Sequence, residues 1–388
     1  MYKICVVTAT RAEYGLLKNT IRLTQEDPEL ELCLVVTGTH LLAEFGRTIS
    51  EIEEDGFPIA EQADILLAND TPQSISKSMG LAAISFSEIF QRQTPDCLVV
   101  LGDRYELLPI CNTALMFQIP IAHISGGELT EGALDDTIRH CITKMSTLHF
   151  PACETYRRRI IQMGEAPELV FNYGDPGVEN IQKLQLLSKE ALAQSLEHPL
   201  NRPFALVTFH PVTTECNAGE QLQELLAALS EFPDMDFLIT KANADAEGRE
   251  INQAIDDYVQ THPNCRAFFS LGLLRYLSAM RFCSMVIGNS SSGIVEAPCF
   301  HVPTINIGNR QKGRLQADSI LNCPPLQQDI VKTMKLAQTE EFLQIASKAV
   351  NPYGGGDTSA SIVKEIKGFL QKPSTPKSFF DVNFDINN

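Results

Sequence analysis

The residues best able to do chemistry in this chain stand where short apolar runs give way to glycine, hydroxyls or charge. Asn289-Ser290-Ser291-Ser292-Gly293 follows the run 284–288, with Glu296 one turn further on. Three hydroxyls and a glycine at the end of a buried strand, opening a helix, aim backbone N–H groups and Ser Oγ donors at one spot. There the helix dipole favours an anion and Gly293 lets the backbone come close. Glu296 is placed to accept from both hydroxyls of a ribose. The plainer alternative is a Ser N-cap with a helical Glu. The loop Gly308–Arg314 holds Arg310 and Lys312 between Gly308 and Gly313, with Arg314 directly after, an anion clamp by composition. In the first apolar turn, Thr8-Ala9-Thr10-Arg11-Ala12-Glu13-Tyr14-Gly15, Arg11 offers a fork for phosphate or carboxylate. A surface ion pair with Glu13 is its structural alternative.

Acid–base groups occupy equivalent places. Leu101-Gly102-Asp103-Arg104 and Ser125-Gly126-Gly127-Glu128 each close an apolar run, and Asp135-Asp136 opens the helical stretch that carries Arg139 and His140. Asp135 and Asp136 would be stabilised at a helix N-terminus in any case. Asp103 and Glu128, at the carboxyl edge of a sheet, suit chemistry better than packing. His210, ahead of Pro211 in Thr208-Phe209-His210-Pro211-Val212-Thr213, projects from an extended strand end, able to donate to a phosphate or to move a proton. Phe268-Phe269-Ser270 ends another run; Phe268 suits the core, while Phe269 and Ser270 are open to contact with a base. A metal site is not expected, because these carboxylates lack a histidine at ligand spacing.

The elements that hold these residues follow from periodicity. Runs 3–8, 31–37, 96–101 and 119–124 read as strands buried on both faces, with amphipathic stretches 71–94 and 105–117 between them. A second series comprises 204–209, 236–241, 266–270, 284–288 and 303–307, separated by helical stretches such as 219–230 and 248–260. The expected fold is α/β: two Rossmann-like, doubly wound halves facing across a cleft, with ligands at the carboxyl ends of both sheets. The series break at the turn cluster Asn172–Gly177. The predicted domains are 1–173 plus 360–388, and 174–359; Thr358–Leu370 is a helix, and the polar segment after it is expected to be a loose tail.

Bulk properties narrow the function. The 388 residues suit two domains, and 44% hydrophobic with 20% charged content is globular. A net charge of −17 disfavours nucleic acid and anionic membranes as partners. The start carries no signal-peptide pattern, no run approaches a membrane span, and the 11 scattered cysteines lack any C-x-x-C. A cytoplasmic protein with reduced, mostly buried thiols is expected, as is a homo-oligomer, dimer or tetramer. The missing G-x-G-x-x-G argues against a cradled NAD.

In order, T-R-A-E-Y-G, L-G-D-R, S-G-G-E, L-D-D-x-x-R-H, F-H-P-V-T, N-S-S-S-G-x-x-E-A-P and G-x-R-Q-x-G-R resemble the hydrolysing UDP-N-acetylglucosamine 2-epimerases that begin sialic acid biosynthesis. The likeness runs to about residue 370. It implies a GT-B-like fold whose C-terminal helix returns to the first domain, a UDP site on the second domain, and no NAD or metal requirement. By position, Asp103, Glu128 and Asp135 are similar to the catalytic carboxylates and His210 to a cleft histidine. Arg11, Ser270, Ser290, Ser291, Gly293, Glu296 and Arg310 are taken as substrate and UDP contacts. Non-hydrolysing relatives carry G-T-R-P-E, E-A-G and Pro-Glu-Glu at the places where this chain departs from them.

The implied reaction releases UDP from UDP-N-acetylglucosamine, forms 2-acetamidoglucal and rehydrates it to N-acetylmannosamine. Departure of UDP acidifies the C2 proton, so the reaction needs diphosphate stabilisation and more than one acid–base group. Two other readings share these motifs: the same reaction on UDP-N,N'-diacetylbacillosamine, leading to legionaminic acid, and a GT-B glycosyltransferase. A non-enzymatic nucleotide-sugar binder would have no use for Asp103 and Glu128.

Overall fold

Alternating side chains in the apolar runs build both sheets. In β1 (Tyr2–Thr8), Ile4 and Val6 enter the core on one face while Cys5 and Val7 enter the core on the other. In β7 (Phe204–Thr208), Ala205 and Val207 are likewise divided from Phe204 and Leu206. A computed structural model describes the chain except for residues 68, 70, 132–133, 212–216, 242–247, 374–375 and 384–388. The histidine motif's Val212 and Thr213 and the last five residues of the tail therefore lie outside the described residues.

The first sheet adds β2 (Leu30–Thr37), β3 (Ile59–Ala63), β4 (Cys97–Leu101), β5 (Ile121–Ile124) and β6 (Leu148–Phe150) in the order β3-β2-β1-β4-β5-β6. The second adds β8 (Asp236–Thr240), β9 (Cys265–Phe268), β10 (Met285–Gly288), β11 (Thr304–Ile307) and β12 (Ile320–Cys323) in the order β12-β11-β10-β7-β8-β9. All pairings are parallel. Counted from its own first strand, each sheet has the Rossmann order 3-2-1-4-5-6, with strand direction of travel reversing between β1 and β4 and between β7 and β10. Ligands of such sheets bind outside the carboxyl ends at those switch points.

The chain forms two units: Met1–Glu128, Asp135–Glu179 and Tyr353–Asn388 in one, Leu129–Leu134 and Asn180–Pro352 in the other. In the first, Ile362, Val363 and Ile366 of the helix Thr358–Leu370 join Leu17 and Ile21 of the helix Arg11–Glu26 in one core. Lys367 reaches Asp27 at 2.6 Å and Glu29 at 3.0 Å.

The tail corrects an expectation. Lys377 Nζ, far from trailing in solvent, donates to the Lys144 carbonyl at 2.7 Å and to the Ser146 carbonyl at 2.5 Å, and it pairs with Glu165 at 2.7 Å. Phe380 N–H donates to Gly164 O at 2.9 Å, and Lys144 sits 4.5 Å above the Phe379 ring. Polarity made this segment read as loose; its lysine instead satisfies carbonyls at the end of the helix Asp135–Met145.

Candidate active site

At the β1–β4 switch point, Thr10 caps the helix Arg11–Glu26 in a capping box with Glu13. Glu13 Oε2 accepts from Ala9 N–H at 2.9 Å and Thr10 N–H at 3.1 Å, so this carboxylate serves the turn itself. Arg11, the first helical residue, is half-buried beside it. His40 is buried between Thr8 Oγ1 (3.0 Å) and Thr48 Oγ1 (2.8 Å), and burial pushes its pKa down to about 4.

Asp103 follows Gly102 off β4 and pairs with Arg139, a fully buried guanidinium on the helix Asp135–Met145. Arg139 Nη1 also donates to the Glu128 carbonyl at 3.1 Å and to Asp136 Oδ1 at 3.3 Å. One cation thereby ties together the strand-end acid, the backbone of Glu128 and the start of the helix that carries Asp135. Asp135 itself is the first residue of that helix and half-buried. Glu128 is buried at 3% exposure. Gly127 has φ +77°, and a Cβ there would stand 2.7 Å from the Tyr156 carbonyl. Beneath Asp103, His123 Nε2 lies 2.8 Å from Gly102 O, and its Nδ1 lies 3.2 Å from Thr143 Oγ1. A carbonyl can only accept, so Nε2 carries the hydrogen and the threonine hydroxyl donates to Nδ1. Burial pushes this imidazole down to about 3, which keeps it neutral.

At the β7–β10 switch point, Gly288 has φ +133°, and a Cβ there would meet the Thr208 carbonyl at 1.9 Å. Glycine is therefore required for the chain to turn into Asn289–Gly293. The helix that follows, Ser291–Val295, has only five residues, so its dipole is small and the hydroxyls and backbone N–H groups carry most of any anion binding. Ser290 is the N-cap, its Oγ accepting from Ser292 N–H at 3.4 Å. Gly293 packs under β11, where an added Cβ would be 3.0 Å from Thr304 Cγ2. Glu296 is half-buried at the helix end; burial pushes its carboxyl above the usual range, opposed by the Ser292 hydroxyl.

Asn289 gathers the neighbouring loops. Its side chain holds the backbone of His210, while its carbonyl accepts from Arg310 Nη1 at 3.2 Å and Gln311 Nε2 at 2.9 Å. His210, Ser290, Ser291 and Arg310 are thus brought together within the second unit. Ser270 is not: it follows the edge strand β9, two strands from the switch point, and its Oγ accepts from Gly272 N–H at 2.9 Å. The adjacent Phe269 ring is exposed, with Lys241 Nζ 3.8 Å above it. Lys312 pairs with Glu131 at 2.9 Å, which leaves the expected clamp chiefly to its arginines.

Asn289, Arg139 and His123 were missed as site residues by sequence reasoning. Asn289 and Arg139 stood inside quoted motifs, but no spacing rule reveals a partner on another strand; His123 lies in an apolar run and reads as plain strand. Among the described residues there is no group of three or more His, Cys, Asp or Glu able to hold a metal, and no helix long and apolar enough to cross a membrane. Of the ten cysteines described, all are free thiols, and all but Cys141 and Cys299 are buried.

The fold of this chain is shared by a solved structure of UDP-GlcNAc 2-epimerase from Neisseria meningitidis bound to UDP-GlcNAc. It superposes with a TM-score of 0.80 at 18% identity, over 94% of this chain and 100% of the other. The architecture is accordingly GT-B-like. The chain is 43% identical over 344 residues to a Campylobacter jejuni protein named GDP/UDP-N,N'-diacetylbacillosamine 2-epimerase (hydrolyzing), covering 88% of this chain and 89% of that one. It is 39% identical to the polysialic acid biosynthesis protein P7 of Escherichia coli, over 98% of each chain. With carboxylates at one switch point, a serine turn at the other, and the profile described as UDP-N-acetylglucosamine 2-epimerase matching residues 22–367, the chain belongs to the UDP-N-acetylglucosamine 2-epimerase family.

Proposed function

We propose that the chain is a hydrolysing 2-epimerase whose substrate is UDP-N,N'-diacetylbacillosamine. The observation that carries the reading is the paired use of two switch points. In the first unit Arg139 binds Asp103, the backbone carbonyl of Glu128 and Asp136 on the helix that begins at Asp135, while the serine turn, Arg310 and His210 gather on Asn289 in the second. The first set suits proton transfer; in the second, the serine turn and Arg310 suit a diphosphate, and His210 is assigned to proton transfer at the sugar.

In this reaction the C1–O bond breaks with its electron pair passing to the β-phosphate oxygen of UDP, and a carboxylate takes the C2 proton. The C1=C2 bond of a glycal results. Water then supplies hydroxyl to C1 and a second acid–base group protonates C2 from the opposite face, giving the free 2-epimer and UDP. Arg11, Ser290, Ser291, Gly293, Glu296 and Arg310 are assigned to the nucleotide and its diphosphate, with Glu296 accepting from the ribose. Ser270, at the sheet edge, is assigned to the nucleotide end. Neither nicotinamide nor metal enters this scheme.

Sequence reasoning placed UDP-N-acetylglucosamine first; the 43% identity to the Campylobacter protein moves the diacetamido sugar ahead of it. The likeness to the polysialic acid protein supports UDP-N-acetylglucosamine, giving N-acetylmannosamine, as the second reading. The test offers both UDP-sugars to the protein, with products identified by NMR. Free 2-epimer and UDP from the diacetamido sugar, at the higher kcat/KM and with an Asp103→Asn variant at least a hundredfold slower, is the expected result. Preference for UDP-N-acetylglucosamine selects the second reading, and sugar transfer to an acceptor overturns both.

A further inference from the structure

Asn289 is wholly buried, and its backbone N–H, its carbonyl and both polar atoms of its side-chain amide are hydrogen-bonded. Its backbone N–H donates to Thr208 O at 3.1 Å, extending the β7–β10 pairing one residue beyond the strands. Its side chain then does for His210 what a further strand residue would do. Oδ1 accepts from His210 N–H at 2.7 Å, and Nδ2 donates to His210 O at 2.8 Å. A backbone N–H only donates and a carbonyl only accepts, so these two bonds fix the orientation of the amide without ambiguity. Asn289 O closes the set with the bonds from Arg310 and Gln311. Loops after β7, β10 and β11 therefore meet on one residue, and the histidine and the serine turn cannot shift independently while those bonds hold.

We propose that Asn289 is a positioning residue: its side-chain amide sets the place of His210 relative to the serine turn that begins at Ser290. This rests on the role proposed above for His210. The side chain acts only through that histidine, so its removal should cost turnover rather than nucleotide binding. Displacement of a reacting group by about 1 Å lowers rates roughly a hundredfold. Asn289→Ala leaves a polar space in which water can satisfy the His210 backbone, so folding is expected to survive while the fixed geometry is lost.

The experiment is a double-mutant cycle on the full chain with Asn289→Ala, His210→Ala and their combination. It measures kcat, KM and UDP affinity by calorimetry. Asn289→Ala is expected to lower kcat about 10- to 100-fold while UDP affinity changes less than about threefold, and to add less than about threefold to the loss caused by His210→Ala. Independent, multiplying losses, or an Asn289→Ala kcat within twofold of the parent while His210→Ala is slow, overturn the inference and leave the proposed function standing. Full turnover in His210→Ala removes the histidine from the mechanism and the inference with it. Asn289→Asp, which keeps the acceptor for His210 N–H and removes the donor to His210 O, gives the same comparison should Asn289→Ala unfold. A three- to tenfold loss of kcat that disappears in the His210→Ala background supports the inference, and a loss that persists there overturns it.

Discussion

Glu13 shows how a residue at the heart of the opening motif can act on stability through its proton. Its carboxyl is 6% exposed; Oε2 takes the N–H groups of Ala9 and Thr10, while Oε1 makes no hydrogen bond. Burial pushes the carboxyl from 4.5 up to about 8, with Arg104 pulling it down, Glu106 pushing it up and the two backbone donors pulling it down. Between those values the folded chain keeps a proton that the unfolded chain has released, so stability falls as pH rises through the window and levels off above it. At about 1.4 kcal/mol per pH unit, the ionisable group costs roughly 3 kcal/mol by pH 7. Glu13→Gln keeps an acceptor for Ala9 and Thr10 and removes the titration. The variant is expected to exceed the parent by about 1–3 kcal/mol at pH 7, less than the full amount because the amide NH2 is buried where Oε1 makes no bond. Toward pH 4.5 the difference should shrink. Urea unfolding of both proteins across pH 4.5–8.5, read at the transition of the first unit, measures it. A difference that stays constant with pH, or that favours the parent more strongly at pH 8 than at pH 5, would refute the reasoning.

Two further outcomes follow from neighbouring features. Glu296→Ala should weaken UDP binding by about 1–3 kcal/mol in calorimetry while leaving the unfolding midpoint nearly unchanged, the scale of hydrogen bonds to a charged group; unchanged affinity removes Glu296 from the ribose. Lys377→Met should lower stability at neutral pH by about 1–2 kcal/mol, the value being reduced because the lysine is partly exposed to solvent. Burial alone would raise the Glu165 carboxyl, but bonds from His149, Lys144 and Lys377 outweigh it and hold the pKa at about 2. That stabilisation is therefore complete above about 4.5 and is lost as pH falls toward 2, so the effect of the variant should fade in acid. A Lys377→Met protein of parental stability at pH 7 would mean that the Lys377 contacts contribute nothing.

What the sequence disclosed depends on where each element lies. The nine predicted strands are all present; eight lie inside the sheets, where strands buried on both faces must be continuously apolar, and the ninth, β9, is an edge strand. The strands it did not disclose, β3, β6 and β12, are all at sheet edges. IAEQA in β3 alternates with polar residues, β6 has three residues, and β12 is only partly buried. The positions of Asp103, Glu128, His210 and the serine turn were legible because strand ends followed by glycine or proline are local signals. What holds them was not. His210 and Asn289 are 79 residues apart in sequence, and their bonds exist only because β7 and β10 are adjacent in the sheet. The Asp103–Arg139 pair likewise joins a loop after β4 to a helix after β5. The tail was misjudged for a similar reason: the acceptors for Lys377 belong to a helix end more than two hundred residues earlier.

The central claim is elimination of UDP with loss of the C2 proton, followed by rehydration, and the fate of the hydrogen at C2 tests it directly. Turnover of UDP-N,N'-diacetylbacillosamine in D2O should release a free sugar that carries deuterium at C2, with UDP accumulating one for one. Protium retained at C2 in the released sugar would contradict the mechanism, whichever sugar the protein prefers.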